Sequence, residues 1–269
     1  MIYGLSSFLS LLMISLSVEA FTLNNSLAAR FKNKRVKVKV ASVSSTCTQA
    51  GTTSSELASL IEPAINEFWN QVPTSRLRLV DGGIFETSDN DFLNGKLCVI
   101  GDPTCTGSTV PSVEDIVISC NSNTANNFTS GSLLALTLPV NLRNKNIVGA
   151  VILINNANGS VFGQLSKQEK ISVIAHEIGH AIGLGHATDR SALMYYQTIP
   201  DRFSLGQDDI DGVTYLYPVK IDGCGLLASS TKQQNTPTSW MWSFGIDFLI
   251  GILLFYFIKK LNLFRAQHK

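Results

Sequence analysis

His176, His180 and His186 make up three of the four histidines in a chain of 269 residues, and Glu177 directly follows the first. On a helix, positions 176 and 180 lie one turn apart on the same face, so their imidazoles can share one ion. Gly183 can end such a helix in a left-handed turn. Leu184-Gly185 then reverses the chain and brings His186 beside the other two. Three neutral imidazoles and a water complete a tetrahedral zinc site with one open position. Glu177 can reach that water without being a ligand. Zinc lowers the pKa of a coordinated water to about 7, and the carboxylate can take its proton as the water attacks a carbonyl carbon. The same carboxylate returns the proton to the leaving amine. The chemistry expected of these four residues is metal-assisted amide hydrolysis. A bare His-Glu-x-x-His also occurs on surface helices that bind nothing. Here the third histidine, the glycine before it and a defined helix start sharpen the metal reading.

The elements that must position these groups are legible in outline. Ser166-Lys-Gln-Glu169 is a capping box that starts the helix carrying His176 and His180. Upstream, Leu57, Leu60, Ile61, Ala64, Ile65, Phe68 and Trp69 follow a 3.6-residue period, predicting a helix over Ser54–Trp69 that Pro63 kinks or begins. Strands are expected at Val36–Val40, Arg76–Val80, Lys96–Ile100 and Asp115–Ser119, and the apolar run Val148–Ile154 reads as a buried strand. Residues 121–131 form a polar loop, and there is no internal repeat. Six residues between Arg30 and Lys39 are basic, with Lys37 and Lys39 alternating with valines. That pattern predicts a strand with a wet basic face, a sheet edge blunted by lysines rather than a ligand patch.

The run His176-Glu177-x-x-His180-x-x-Gly183-x-x-His186 resembles the zinc signature of the metzincins. Met194, in Ser-Ala-Leu-Met-Tyr, resembles their Met-turn, the hydrophobic floor beneath the metal. Ala192-Leu-Met-Tyr195 and Phe203-Ser-Leu-Gly-Gln-Asp-Asp-Ile-Asp-Gly-Val-Thr-Tyr-Leu-Tyr217 are most similar to the matrixins, in which Asp208 and Asp209 would open the last helix. The resemblance covers residues 36–217, strongly in 166–217. It implies an α+β, zincin-like catalytic domain: a twisted, mostly parallel sheet, two long helices and a small lower subdomain. It also implies one catalytic Zn2+, ligated by His176, His180 and His186, and a peptide substrate lying extended along the sheet edge. Several features depart from the family. No Pro-Arg-Cys-Gly switch precedes the domain, no extra histidines are present for a structural zinc, and no hemopexin-like repeat follows. Calcium is an option that no acidic cluster points to. Tyr196 stands where matrixins usually have proline; it is a candidate transition-state donor, with side-chain packing as the blander role.

Residues 1–20 have the layout of a secretory signal peptide cut after Ala20, although the first four residues carry no base. A polar linker, residues 218–239, precedes Trp240–Ile258, an apolar stretch broken only by Ser243 and Asp247. At about 1.5 Å per residue this stretch could cross a hydrocarbon core of about 30 Å. Lys259-Lys260 and the basic tail 259–269 would then face the cytoplasm and the catalytic domain the outside. A removable sorting tail is the other reading of this end. All five cysteines lie in the part expected outside, where disulfides persist, and Cys98–Cys105 is the favoured pair. Residues 21–239 contain 17 basic and 18 acidic residues, a near-neutral body unsuited to phosphate backbones, so no nucleic-acid partner is expected. The function expected is a zinc-dependent endopeptidase acting on extracellular protein or peptide substrates. A catalytically silent surface binding module of the same fold is the alternative, and a hydrolase of non-peptide amides a second rival.

Overall fold

Alternating valines bury one face of the first long strand, and their partners complete a six-stranded sheet. The computed structural model describes residues 21–98, 106–142, 145–197 and 202–219. In chain order the elements are β1 (Arg30–Phe31), β2 (Arg35–Ala41), α1 (Ser54–Asn66), β3 (Arg78–Phe85), α2 (Asp91–Asn94), β4 (Asp115–Asn121), β5 (Ala135–Leu142), β6 (Asn146–Asn155), α3 (Lys167–Ala181) and α4 (Gln207–Leu216). The strand order is β1-β6-β4-β2-β3, with β5 also paired to β6. Every pairing is parallel except the antiparallel β5–β6 ladder.

The main core lies between the sheet and the helices α1 and α3. Val36, Val38, Val40, Ile116, Ile118, Ile152 and Ile154 meet Leu57, Leu60, Ile61, Ala64, Ile174 and Ile178 there. On the other face of β4 and β6, Leu97 and Phe128 cover Val151 and Leu153, while Phe92 packs with Ala41 and Val117. Burial on both faces explains why β6 reads as an unbroken apolar run rather than an alternation. A disulfide joins Cys47 to Cys120 across 73 residues, tying the segment after β2 to the end of β4. The expected Cys98–Cys105 pair lies outside the described residues, because Cys105 does.

Several expectations need correction. The basic strand β2 is interior, paired to β3 on one side and β4 on the other, so its lysines guard no edge. They point from the sheet face opposite the helices, where Lys39 pairs with Asp115 at 3.0 Å. Lys96–Cys98 is irregular backbone; the alternation there belongs to a loop that drops Leu97 into the core. Strand β3 starts two residues later than expected and runs on to Phe85. Pro63 does not begin α1, which starts at Ser54 with Thr53 as its cap; Pro63 sits near its C-terminal end. The helix stops at Asn66, and Phe68 and Trp69 pack from the turn beyond it. Strand β5 is not among the strands that the sequence predicts. Pro139 within it argues against a strand, but β5 is an edge, where a missing N–H is tolerated.

Among the described residues no helix is long and apolar enough to cross a membrane. The expected signal peptide 1–20, and the linker, the span 240–258 and the tail from residue 220 onward, lie outside the described residues.

Candidate active site

The capping box starts α3 as expected. The Ser166 hydroxyl accepts from the Glu169 amide, and the Glu169 carboxylate accepts from the Ser166 amide at 2.6 Å. From this start, ten residues bring His176 and His180 to the face turned towards β5. The helix ends at Ala181, and Gly183 takes φ +115°, where a Cβ would meet the Ala29 carbonyl. That turn sends the chain through Leu184-Gly185 to His186. The N-terminal segment fastens this loop: Asn24 donates to the His180 carbonyl at 2.6 Å, and Thr22 to the His186 carbonyl.

The three imidazoles converge. One ligand atom from each lies within 4.8 Å of the others, and His180 Nε2 and His186 Nε2 are 3.2 Å apart. Nitrogens about 2.05 Å from a tetrahedral zinc would stand about 3.3 Å from one another, so this spacing fits the ion. The tautomers suit it too. His176 Nδ1 sits 2.7 Å from the Leu193 carbonyl and His180 Nδ1 2.9 Å from the Leu184 carbonyl. Each carbonyl accepts an N–H from Nδ1, so Nε2 is the ring nitrogen available to a metal. Burial, then the neighbouring His176 and His186, hold the His180 imidazole well below the ordinary histidine range; burial and His176 lower His186 as well. Neutral imidazoles are the form a cation requires.

Glu177 is 7% exposed, and its carboxylate faces the same cleft. Burial raises its pKa, opposed by the nearby His176 and by a hydrogen bond from the Thr137 hydroxyl. Met194 is buried against α3, its sulfur filling the space a Cβ on Gly179 would occupy. Asp209, buried in the first turn of α4, accepts from the amides of Leu193 at 2.6 Å, Met194 at 3.0 Å and Gly206 at 2.8 Å. The backbone that carries Met194 and orients His176 is thereby pinned to the last helix. Trp69 donates from its indole to the Ala175 carbonyl at 2.9 Å, fixing α3 one residue before the first histidine.

The cleft encloses about 360 Å³ and runs between β5 and α3. Its walls are Leu133 to Pro139 on one side, and Val173, Leu193, Tyr195 and Arg202 on the other. Strand β5 pairs on one side only among the described residues, so its free backbone edge borders the cleft. Tyr196 also lines the cleft and is 54% exposed, whereas Tyr195 is buried. The Tyr196 ring also packs on that of Tyr195, with centroids 4.6 Å apart. Sequence reasoning missed Thr137, the strap at Thr22 and Asn24, and Trp69 as site residues. A lone threonine in the apolar row Leu134–Leu138 is the one signal that could have drawn notice.

Residues 114–218 match the family model Peptidase_M10, described as matrixin. Over that segment the chain is similar to the matrixins. The matching stretches in relatives are short. The chain is 54% identical over 48 residues to Matrix metalloproteinase-18 of Xenopus laevis, covering 17% of this chain and 10% of that protein. It is 42% identical over 67 residues to Stromelysin-1 of Rattus norvegicus, or 23% and 14% of the two chains. With Metalloendoproteinase 1 of Glycine max it shares 53% over 51 residues, or 18% and 16%. The match thus spans between a tenth and a sixth of these relatives' lengths. The matrixin-like segment contains β5 and α3, which wall the cleft, together with Glu177 and all three histidines.

Proposed function

We propose that this protein is a zinc-dependent endopeptidase. The observation that carries the reading is the convergence of three imidazoles and a buried carboxylate in one cleft beside a free strand edge. His176, His180 and His186 would hold the ion. When bound, zinc acidifies a water and polarises the carbonyl under attack. Glu177 takes the proton from that water at a carboxylate oxygen and passes it to the leaving amine nitrogen. Burial favours the protonated state of this acid between the two transfers, while His176 and Thr137 favour the charged one. The substrate is an extended peptide that adds to the free edge of β5, so the bond cut lies within a chain rather than at its end. The exposed Tyr196, at the cleft wall, is a candidate donor to the oxyanion.

The Cys47–Cys120 disulfide favours an oxidising compartment. Together with the apolar segment 240–258 it supports a catalytic domain outside the cell, anchored by a single C-terminal span. A silent binding module would have no need of Glu177 desolvated beside three histidines.

The test uses the full chain and a quenched-peptide library. Hydrolysis should require zinc, stop with chelator and return on adding zinc back. Glu177→Gln should keep stoichiometric zinc by elemental analysis yet lose at least about 1,000-fold in kcat/KM, a loss of transition-state stabilisation of about 4 kcal/mol. Undiminished turnover by that variant would remove Glu177 from the mechanism.

A further inference from the structure

Thr137 stands in the middle of β5, opposite Ile152 of β6, in the row that includes Ala135 and faces α3. Its neighbours Leu136 and Leu138 turn to the other side, against the cluster of Leu97, Phe128, Val151 and Leu153. A hydroxyl in the helix-facing row needs a partner. Both partners within reach belong to Glu177: the carboxylate Oε2 at 2.5 Å and the backbone carbonyl at 3.3 Å. The hydroxyl has one hydrogen, and the short contact to the carboxylate takes it. Among the described residues Glu177 forms no salt bridge, and this hydrogen bond orients its buried carboxylate.

We propose that Thr137 is a positioning residue for the general base. Its hydroxyl anchors Glu177 Oε2 and leaves Oε1 as the oxygen that receives the proton from water. Threonine suits the task for a steric reason. Branching at Cβ restricts χ1, so the hydroxyl is aimed before substrate arrives. Strand β5 also carries the free edge along which the peptide would lie, so one element sets both the substrate's backbone and the base that acts on it. This inference builds on the peptidase reading and names a residue that reading does not require.

The experiment compares the zinc-loaded full chain with Thr137→Val, Thr137→Ser and the double variant Thr137→Val/Glu177→Gln. Thr137→Val keeps the branched shape and removes only the hydroxyl. It should lower kcat by about 10-fold with KM little changed, as expected for a charge-assisted hydrogen bond lost at the base. Thr137→Ser should restore most of that rate, and in the double variant the valine should add no further loss to that of Glu177→Gln. Unchanged kcat in Thr137→Val, failure of serine to rescue, or a rise in KM alone would each overturn the proposal. A second readout does not depend on turnover. Crystal structures of the zinc-loaded wild type and Thr137→Val should show Glu177 fixed in one rotamer in the first and displaced in the second. The same Glu177 rotamer in both sinks the positioning role. Lack of hydrolysis by the wild type, with Glu177 held by Thr137 in the crystal, would instead count against the peptidase reading.

Discussion

The His176 imidazole is oriented by the Leu193 carbonyl at Nδ1, and that backbone is in turn held by Asp209. His176 donates to the Leu193 carbonyl, and the Leu193 amide donates to Asp209, which also accepts from Met194 and Gly206. Burial raises the Asp209 pKa while these three amides pull it down. Asp209→Asn keeps the shape but turns an NH2 towards amide donors, leaving at least one buried amide unpaired. The variant should lose about 1–3 kcal/mol in a denaturant melt and bind zinc about 10-fold more weakly in a chelator competition. Unaltered zinc affinity would mean that Leu193 is held well enough without this carboxylate.

At the scale of elements, α3 depends on its first turn to aim its histidines. Ser166→Ala removes the acceptor for the Glu169 amide and should cost about 1 kcal/mol in thermal or denaturant unfolding. The amide and hydroxyl of Ser166 lower the Glu169 pKa below its ordinary value of 4.5. A carboxyl depressed on folding contributes stability that is present above its unfolded pKa and lost as pH falls through the folded one. Glu169→Gln should therefore be less stable than wild type at neutral pH. The gap should narrow below pH 4.5, read by melts across an acid series, and a gap that widens on acidification would reverse the assignment. The edge strand β5 shows how an element escapes a pattern reading. Leu133 to Pro139 has no clean alternation because one face packs on a second cluster and the other borders a cleft.

Across the whole molecule, long-range ties bring the two sides of the site together. Lys170 of α3 pairs with Glu56 of α1 at 2.9 Å. The Tyr217 hydroxyl, fully buried, donates to the Ile182 carbonyl at 2.7 Å and accepts from the Phe31 amide, joining the end of α4 to the turn after α3 and to β1. The Cys47–Cys120 bridge closes a 73-residue loop. Its removal in Cys47→Ser/Cys120→Ser should lower unfolding stability by up to about 4 kcal/mol on chain-entropy grounds. The loss should show as a fall in denaturant midpoint, with the zinc-bound form protected relative to the metal-free one by linkage. Equal midpoints for bridged and unbridged chains would show that the sheet and helices hold this region unaided.

What could be known from residue order alone was local and periodic. Ser166 and Glu169 announced a helix start, the four-residue spacing of His176 and His180 their shared face, and Gly183 the turn that returns His186. Each of these signals acts within about one helical turn or one tight reversal, so neighbours in sequence suffice to read it. The interior place of β2, the edge strand β5, the partner of Cys47, and the contacts that Thr137 and Asp209 make were decided only in three dimensions. They depend on which strand lies beside which, a choice made by burying apolar faces collectively, and residues 40 or 73 positions apart leave no periodic trace of having met.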